Sequence, residues 1–136
     1  AGATRPWQHI LDCLNGYILA AEHLLTTNIS NTWNFGPEGI DFRAVSEVVH
    51  EFTQNWGATK LQINFISPNE KFHESQDLAL DSSKSKSVLG WSNRFQFVES
   101  IKLTSNWYKQ VLNKELSAYE ACSRDIELAE LSFKIF

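Results

Sequence analysis

The residues best equipped for chemistry lie at the start of the chain, in Arg5-Pro6-Trp7-Gln8-His9-Ile10-Leu11-Asp12. Arg5 carries a flat fork of donors suited to phosphate. Arg5, Trp7 and His9 share strand parity, so in an extended segment the three would line one face, with Gln8 between them. Asp12 reads as the N-cap of a following helix, its carboxylate accepting from free amides of the first turn. Such a segment could present a diphosphate and its sugar with polar contacts. The competing assignment is structural: Trp7 in the core, Arg5 paired with a surface carboxylate, His9 a satisfied, partly buried histidine. A second candidate is the polar loop from Ser67 to Asp77, where His73 and Glu74 are either binding residues or solvated loop charges.

The elements that must position these groups follow from periodicity. Leu14, Tyr17, Ile18, Ala21, Leu24 and Leu25 hold the three-four spacing of an amphipathic helix over about 12–26, with this stripe buried. Gly16 weakens that helix and so implies close packing against a neighbour. Thr32 to Phe35 predicts a short strand ending in the turn Gly36-Pro37-Glu38-Gly39. A second helix is expected from Asp41 to Trp56, with Val45, Val48, Val49, Phe52 and Trp56 inward and Gly57 as left-handed C-cap. Lys60 to Ile66 alternates as a half-buried strand. Asp81 caps a short helix that Gly90 stops, Trp91 folding back over its last turn. A third long helix covers about 98–112, with Ile101, Trp107, Tyr108 and Val111 as core. In the tail, 113–136, the apolar stripe wanders and allows one or two helices. The fold class expected is a small α+β unit, helices with a few short strands.

Composition sets the outer bounds. The chain has 136 residues, 43% hydrophobic and 21% charged, which suits one globular domain and argues against disorder. A net charge of −4 without a basic run gives no nucleic-acid surface. No apolar stretch approaches the ~20 residues of a membrane span, so a cytoplasmic location is expected. Cys13 and Cys122 have no metal spacing and read as free thiols. His23 and His50 have no second ligand four residues on, so no metal is expected. Trp33, Trp56, Trp91 and Trp107 fall at core or cap phases, which favours packing over carbohydrate stacking. The chain opens Ala1-Gly2-Ala3 and contains no methionine, as expected of a piece of something longer.

The ordered set of short motifs then carries a resemblance. Arg5 to Asp12 with Leu14-Asn15-Gly16-Tyr17 is followed by Trp33-Asn34-Phe35-Gly36-Pro37, His73-Glu74-Ser75, Leu80-Asp81-Ser82-Ser83-Lys84, Leu89-Gly90-Trp91 and Thr104-Ser105-Asn106-Trp107-Tyr108. From about residue 4 to 112 this resembles the nucleotide-sugar 4,6-dehydratases of the extended short-chain dehydrogenase/reductase superfamily, those acting on CDP-glucose above all. The resemblance implies a carboxy-terminal substrate-binding domain over 1–112, a helical tail over 113–136, and an absent Rossmann half that would bind NAD and carry the catalytic residues. It implies a role in deoxysugar and O-antigen lipopolysaccharide synthesis. It also implies that Arg5, Trp7, Gln8 and His9 serve the substrate's diphosphate, with Lys71, His73 and Glu74 in a second gripping loop. Lys71 stands where the wider family often has arginine, so it offers charge without the two-pronged geometry. This sequence has no Gly-rich dinucleotide turn and no Tyr-x-x-x-Lys pair. The fragment alone is therefore expected to be inactive and to bind no cofactor, and its apolar ends to self-associate. The alternatives are a stand-alone interaction module of this fold, or the same lobe of another nucleotide-sugar epimerase or dehydratase.

Overall fold

In a computed structural model, residues 3–37, 42–57, 63–64 and 78–133 are described, without the side chains of Phe42, Ser132 and Phe133. Among them are five helices and one two-stranded sheet: β1 (Thr4–Pro6), α1 (Ile10–Thr27), β2 (Phe42–Ala44), α2 (Val45–Trp56), α3 (Ser83–Leu89), α4 (Phe97–Leu112) and α5 (Ala118–Phe133). The unit is mostly helical, with less strand than the α+β expectation. β1 and β2 pair antiparallel, Thr4 opposite Ala44 and Arg5 opposite Arg43. That pairing takes residues 42–44 out of the helix expected from Asp41. Glu47 then secures the true start of α2, its carboxylate accepting the Ala44 N–H at 2.8 Å.

The strand predicted at 32–35 does not form, because side chains take the backbone groups a ladder would use. Ser85 Oγ donates to Asn34 O at 2.6 Å, Lys84 Nζ to Thr32 O at 3.1 Å, and the Gly36 N–H donates to Ser82 Oγ at 2.9 Å. This segment is thus laced to the start of α3, where Asp81 accepts the Ser83 N–H in the expected capping role. Of the strand predicted at 60–66, only residues 63 and 64 are described, and neither is in a strand.

Both predicted glycine caps are present. Gly57 and Gly90 have φ of 71° and 66°, a region that favours glycine. The Trp91 N–H returns to Ser85 O at 3.3 Å, folding the tryptophan back as expected.

The core lies where α1, the 31–37 segment, α3 and the 91–95 loop meet. Trp91 is 1% exposed and stacks edge-on against Phe35, centroids 5.3 Å apart. Gly16 lets α1 into this core. A Cβ there would stand 2.5 Å from the Phe35 ring, so the ring occupies the place of the missing side chain.

The face of α1 that packs is not the predicted one. Its buried residues are Asp12 and Gly16, while Leu14, Tyr17, Ile18, Leu24 and Leu25 are exposed. Periodicity located an apolar stripe correctly but could not say what covers it.

On the other side, α2 packs along α4 and α5 along α4. α5 is one helix whose buried positions are Ala121, Asp125 and Ala129, a spacing of four. Ala121 and Ala129 are small, and Ser105 of the neighbouring α4 is also fully buried, which suits a close approach of the two helices. An apolar-stripe reading misses that face, which explains the wandering pattern of the tail. Trp107 and Val111 are half-buried and Tyr108 is exposed, so of the core predicted for α4 only Ile101 is buried.

Candidate functional site

Pro6 decides the geometry of the opening segment. The Trp7 N–H bonds to Arg5 O at 3.0 Å, a three-residue turn centred on the proline. The strand therefore ends at Pro6, and the parity that would have aligned Arg5, Trp7 and His9 is broken. Each later residue takes a structural bond. Trp7 Nε1 donates to Arg43 O at 3.0 Å, tying the turn to β2. Gln8 Nε2 donates to Phe35 O at 2.9 Å, tying it to the core.

His9, 5% exposed, stands at the N-cap of α1, its Nδ1 accepting the Leu11 N–H at 3.4 Å. The cap expected of Asp12 thus belongs to His9. Burial lowers the His9 pKa, opposed by the charges of Asp125 and Glu99. The ring is neutral near pH 7, with Nε2 left as the donor.

Asp12 has a different and more central task. It is 0% exposed, and its two carboxylate oxygens accept from the Arg94 and Phe95 N–H groups at 3.0 and 3.3 Å. Its carbonyl accepts the Trp91 indole N–H at 2.9 Å. Burial raises the Asp12 pKa, and the two backbone donors pull it back down.

Trp7, Gln8 and His9 do come together, around one open cavity of about 680 Å³ between the opening segment, α2, α4 and α5. Its walls are largely aromatic and aliphatic, with Phe52, Phe97 and Trp107 among them, and Asp125 is the only charged lining residue among the described residues. Arg124 Nη2 pairs with Asp125 at 2.6 Å and Arg124 also reaches Gln110 of α4. With a carboxylate and no lysine or arginine among its described lining residues, this part of the wall does not suit the diphosphate of NAD. Among the described residues no cluster of His, Cys, Asp or Glu could hold a metal.

The cationic feature lies on the sheet instead. Arg5 and Arg43 are direct cross-strand partners, which puts both side chains on one face of the ladder. Arg43 also sits over the Phe97 ring, 5.4 Å from its centroid, and 3.4 Å from Glu47. The sequence reading missed Arg43 because only strand register brings it to Arg5. It missed Asp125 because a lone aspartate on an exposed-looking helix carries no local signal. Lys71, His73 and Glu74 lie outside the described residues.

No protein-family model matches the chain. Individual proteins do. CDP-glucose 4,6-dehydratase of Salmonella typhimurium is 35% identical over 114 residues, 82% of this chain and 31% of that protein. UDP-glucose 4-epimerases of Halalkalibacterium halodurans and Lactobacillus helveticus are 27% and 25% identical over 78% and 77% of the chain. The chain spans about a third of the length of each of these relatives. Over the stretch that aligns, it is related to nucleotide-sugar dehydratases and epimerases and corresponds to part of a CDP-glucose 4,6-dehydratase-like protein.

Proposed function

We propose that this chain is the substrate-holding lobe of a nucleotide-sugar 4,6-dehydratase that converts CDP-glucose to CDP-4-dehydro-6-deoxyglucose. The observation that carries the reading is the 35% identity to CDP-glucose 4,6-dehydratase across 82% of the chain. In such an enzyme NAD, bound outside this sequence, supplies the hydride chemistry. This chain binds and orients the substrate.

Arg5 is the residue assigned to the diphosphate. Its register partner is Arg43, and like charges directly opposite in a ladder are destabilising unless a counter-charge stands near. Glu47 already supplies one to Arg43 at 3.4 Å, and a diphosphate on that face would meet both guanidinium groups. Trp7 and Gln8 act indirectly, since their bonds to Arg43 O and Phe35 O fix the turn that carries Arg5. Lys71, His73 and Glu74 are assigned to the same substrate.

The test is a titration of CDP-glucose and of NAD against the full-length parent protein. Arg5→Ala weakens CDP-glucose binding by roughly 1.5–3 kcal/mol, the range for a lost charge-assisted hydrogen bond, and leaves NAD binding unchanged. Arg5→Lys recovers only part of the loss, because an ammonium cannot make the two-pronged contact. An equal loss for both ligands would make Arg5 a residue of the fold and end its assignment to substrate.

A further inference from the structure

Residue 43 breaks a local rule of the strand it stands in. Like charges directly opposite in an antiparallel ladder are destabilising, and Arg43 stands directly opposite Arg5. The structural work done at this position does not call for that side chain. The Arg43 carbonyl accepts the Trp7 indole N–H at 3.0 Å, and the pairing with Arg5 is made by backbone. Any strand-forming residue would keep both. A charge placed where it works against the fold points to a use outside the fold.

The contacts of Arg43 orient it without fully neutralising it. Its guanidinium carbon lies 5.4 Å from the centroid of the Phe97 ring, and a ring face steadies a cation while leaving its charge in place. Arg43 Nη1 is 3.4 Å from Glu47 Oε1, longer than the roughly 2.7–2.9 Å of a close charge-assisted bond. Both side chains are well exposed, so that pair is also weakened by water. The closer bond of Glu47 goes elsewhere, Oε2 accepting the Ala44 N–H at 2.8 Å.

We propose that the Arg43 guanidinium is a second cation of the diphosphate site, gripping the phosphates jointly with Arg5 and exchanging Glu47 for them as they bind. This rests on the nucleotide-sugar reading and adds to it a residue that no sequence motif marks. A diphosphate carries negative charge on both phosphoryl groups. Two guanidinium forks on one face of a ladder can meet the two groups together, which fixes orientation as well as affinity.

The test titrates the full-length parent protein with CDP-glucose, with NAD and, at saturating NAD, with inorganic pyrophosphate. Arg43→Gln is expected to weaken CDP-glucose and pyrophosphate about tenfold, the low end for a lost hydrogen bond to a charged group, and to leave NAD unchanged. Arg43→Lys recovers part of the loss. Glu47→Gln keeps an acceptor for the Ala44 N–H but removes the charge that competes for Arg43, so both anions bind about two- to fivefold more tightly. A gain of affinity does not come from a damaged fold, so this variant separates binding from structure. If Arg5→Ala weakens CDP-glucose while Arg43→Gln leaves it unchanged, Arg43 belongs to the strand alone and the inference is overturned with the nucleotide-sugar reading intact. If Arg5→Ala has no effect either, the diphosphate assignment itself fails and Arg43 falls with it. Weaker binding of both anions in Glu47→Gln would make the Arg43–Glu47 pair a part of the fold and overturn the exchange.

Discussion

The two sides of this molecule are held in different ways. On one side α1, the 31–37 segment, α3 and the 91–95 loop are pinned by side chains that bond to distant backbone. Asp12 reaches residues 94 and 95, Ser85 reaches residue 34, and Trp91 reaches residue 12. On the other side α2, α4 and α5 meet through aromatic and small residues and leave a cavity. The pinned side has one arrangement, because each polar pin has only one place to go. The other side has bonds between helices too, Arg124 to Gln110 and Lys109 Nζ to Asn55 O at 3.4 Å, but around its cavity it is held by non-directional contacts, which tolerate open space.

The largest expected effect is at the central pin. Asp12→Ala strips two buried N–H groups of their acceptor, and each unmet donor costs about 1–3 kcal/mol, so the variant loses about 2–6 kcal/mol of stability. Chemical denaturation measures this. A loss below about 1 kcal/mol would mean that the 94–95 amides find other partners and that the pinned side is no more specified than the other. Gly16→Ala comes next. The new methyl must displace the Phe35 ring or shift α1, at about 1–3 kcal/mol, against the gain of up to ~1 kcal/mol that alanine brings to an open helix site. Net destabilisation is expected, and net stabilisation would show that the ring moves freely.

The comparison also has a pH signature. The His9 pKa is lowered in the folded chain, so below about 6.5 the unfolded chain holds a proton that the folded chain refuses. Stability therefore falls as pH drops from 6.5. Asp12 has the opposite sign. Its folded pKa is raised above 3.8, so the folded chain takes up a proton first, and stability is gained as pH falls through the folded value toward 3.8. His9→Asn retains a side-chain acceptor for the α1 cap and removes the first slope while leaving the second. An unchanged slope below 6.5 would show that His9 titrates alike in both states.

How much of this was legible follows from the same contrast. Local signals were reliable: Gly57 and Gly90 as caps, Asp81 at the head of α3, the return of Trp91, and the tight packing at Gly16 all follow from neighbours within a few residues. Long-range polar pairing was not. Nothing near Asp12 marks it as the partner of residues 94 and 95, and as an aspartate before an apolar run it reads as a cap. Nothing near Thr32–Phe35 shows that serines and a lysine some fifty positions later take its backbone groups. In the opening segment the residue types were noticed, but Pro6 turns the chain and divides them. Arg5 remains on the sheet beside Arg43, while Trp7, Gln8 and His9 go to the cavity.

The smallest expected change in stability lies on the same helix as one of the larger ones. Leu25 of α1 is 85% exposed, and Tyr17 and Ile18 share much of its exposure. Tyr17 keeps an edge contact with Phe35, ring centroids 5.8 Å apart, but Leu25 is almost fully exposed, so Leu25→Lys removes almost no folded-state contact. Its effect on unfolding should stay within about 0.5 kcal/mol, as for surface substitutions generally. Lysine and leucine have similar helix propensities, so backbone terms do not disturb that expectation. A contiguous exposed apolar stripe does, however, favour association. If α1 meets another surface, Leu25→Lys lowers the self-association of the purified chain, read by sedimentation over a concentration series, while Gly16→Ala leaves it unchanged. Two turns of one helix would then divide the work, the Gly16 face for the fold and the Leu25 face for what lies outside it. A loss of stability well above 0.5 kcal/mol in Leu25→Lys would place that leucine in contact with this chain's own residues and remove the distinction.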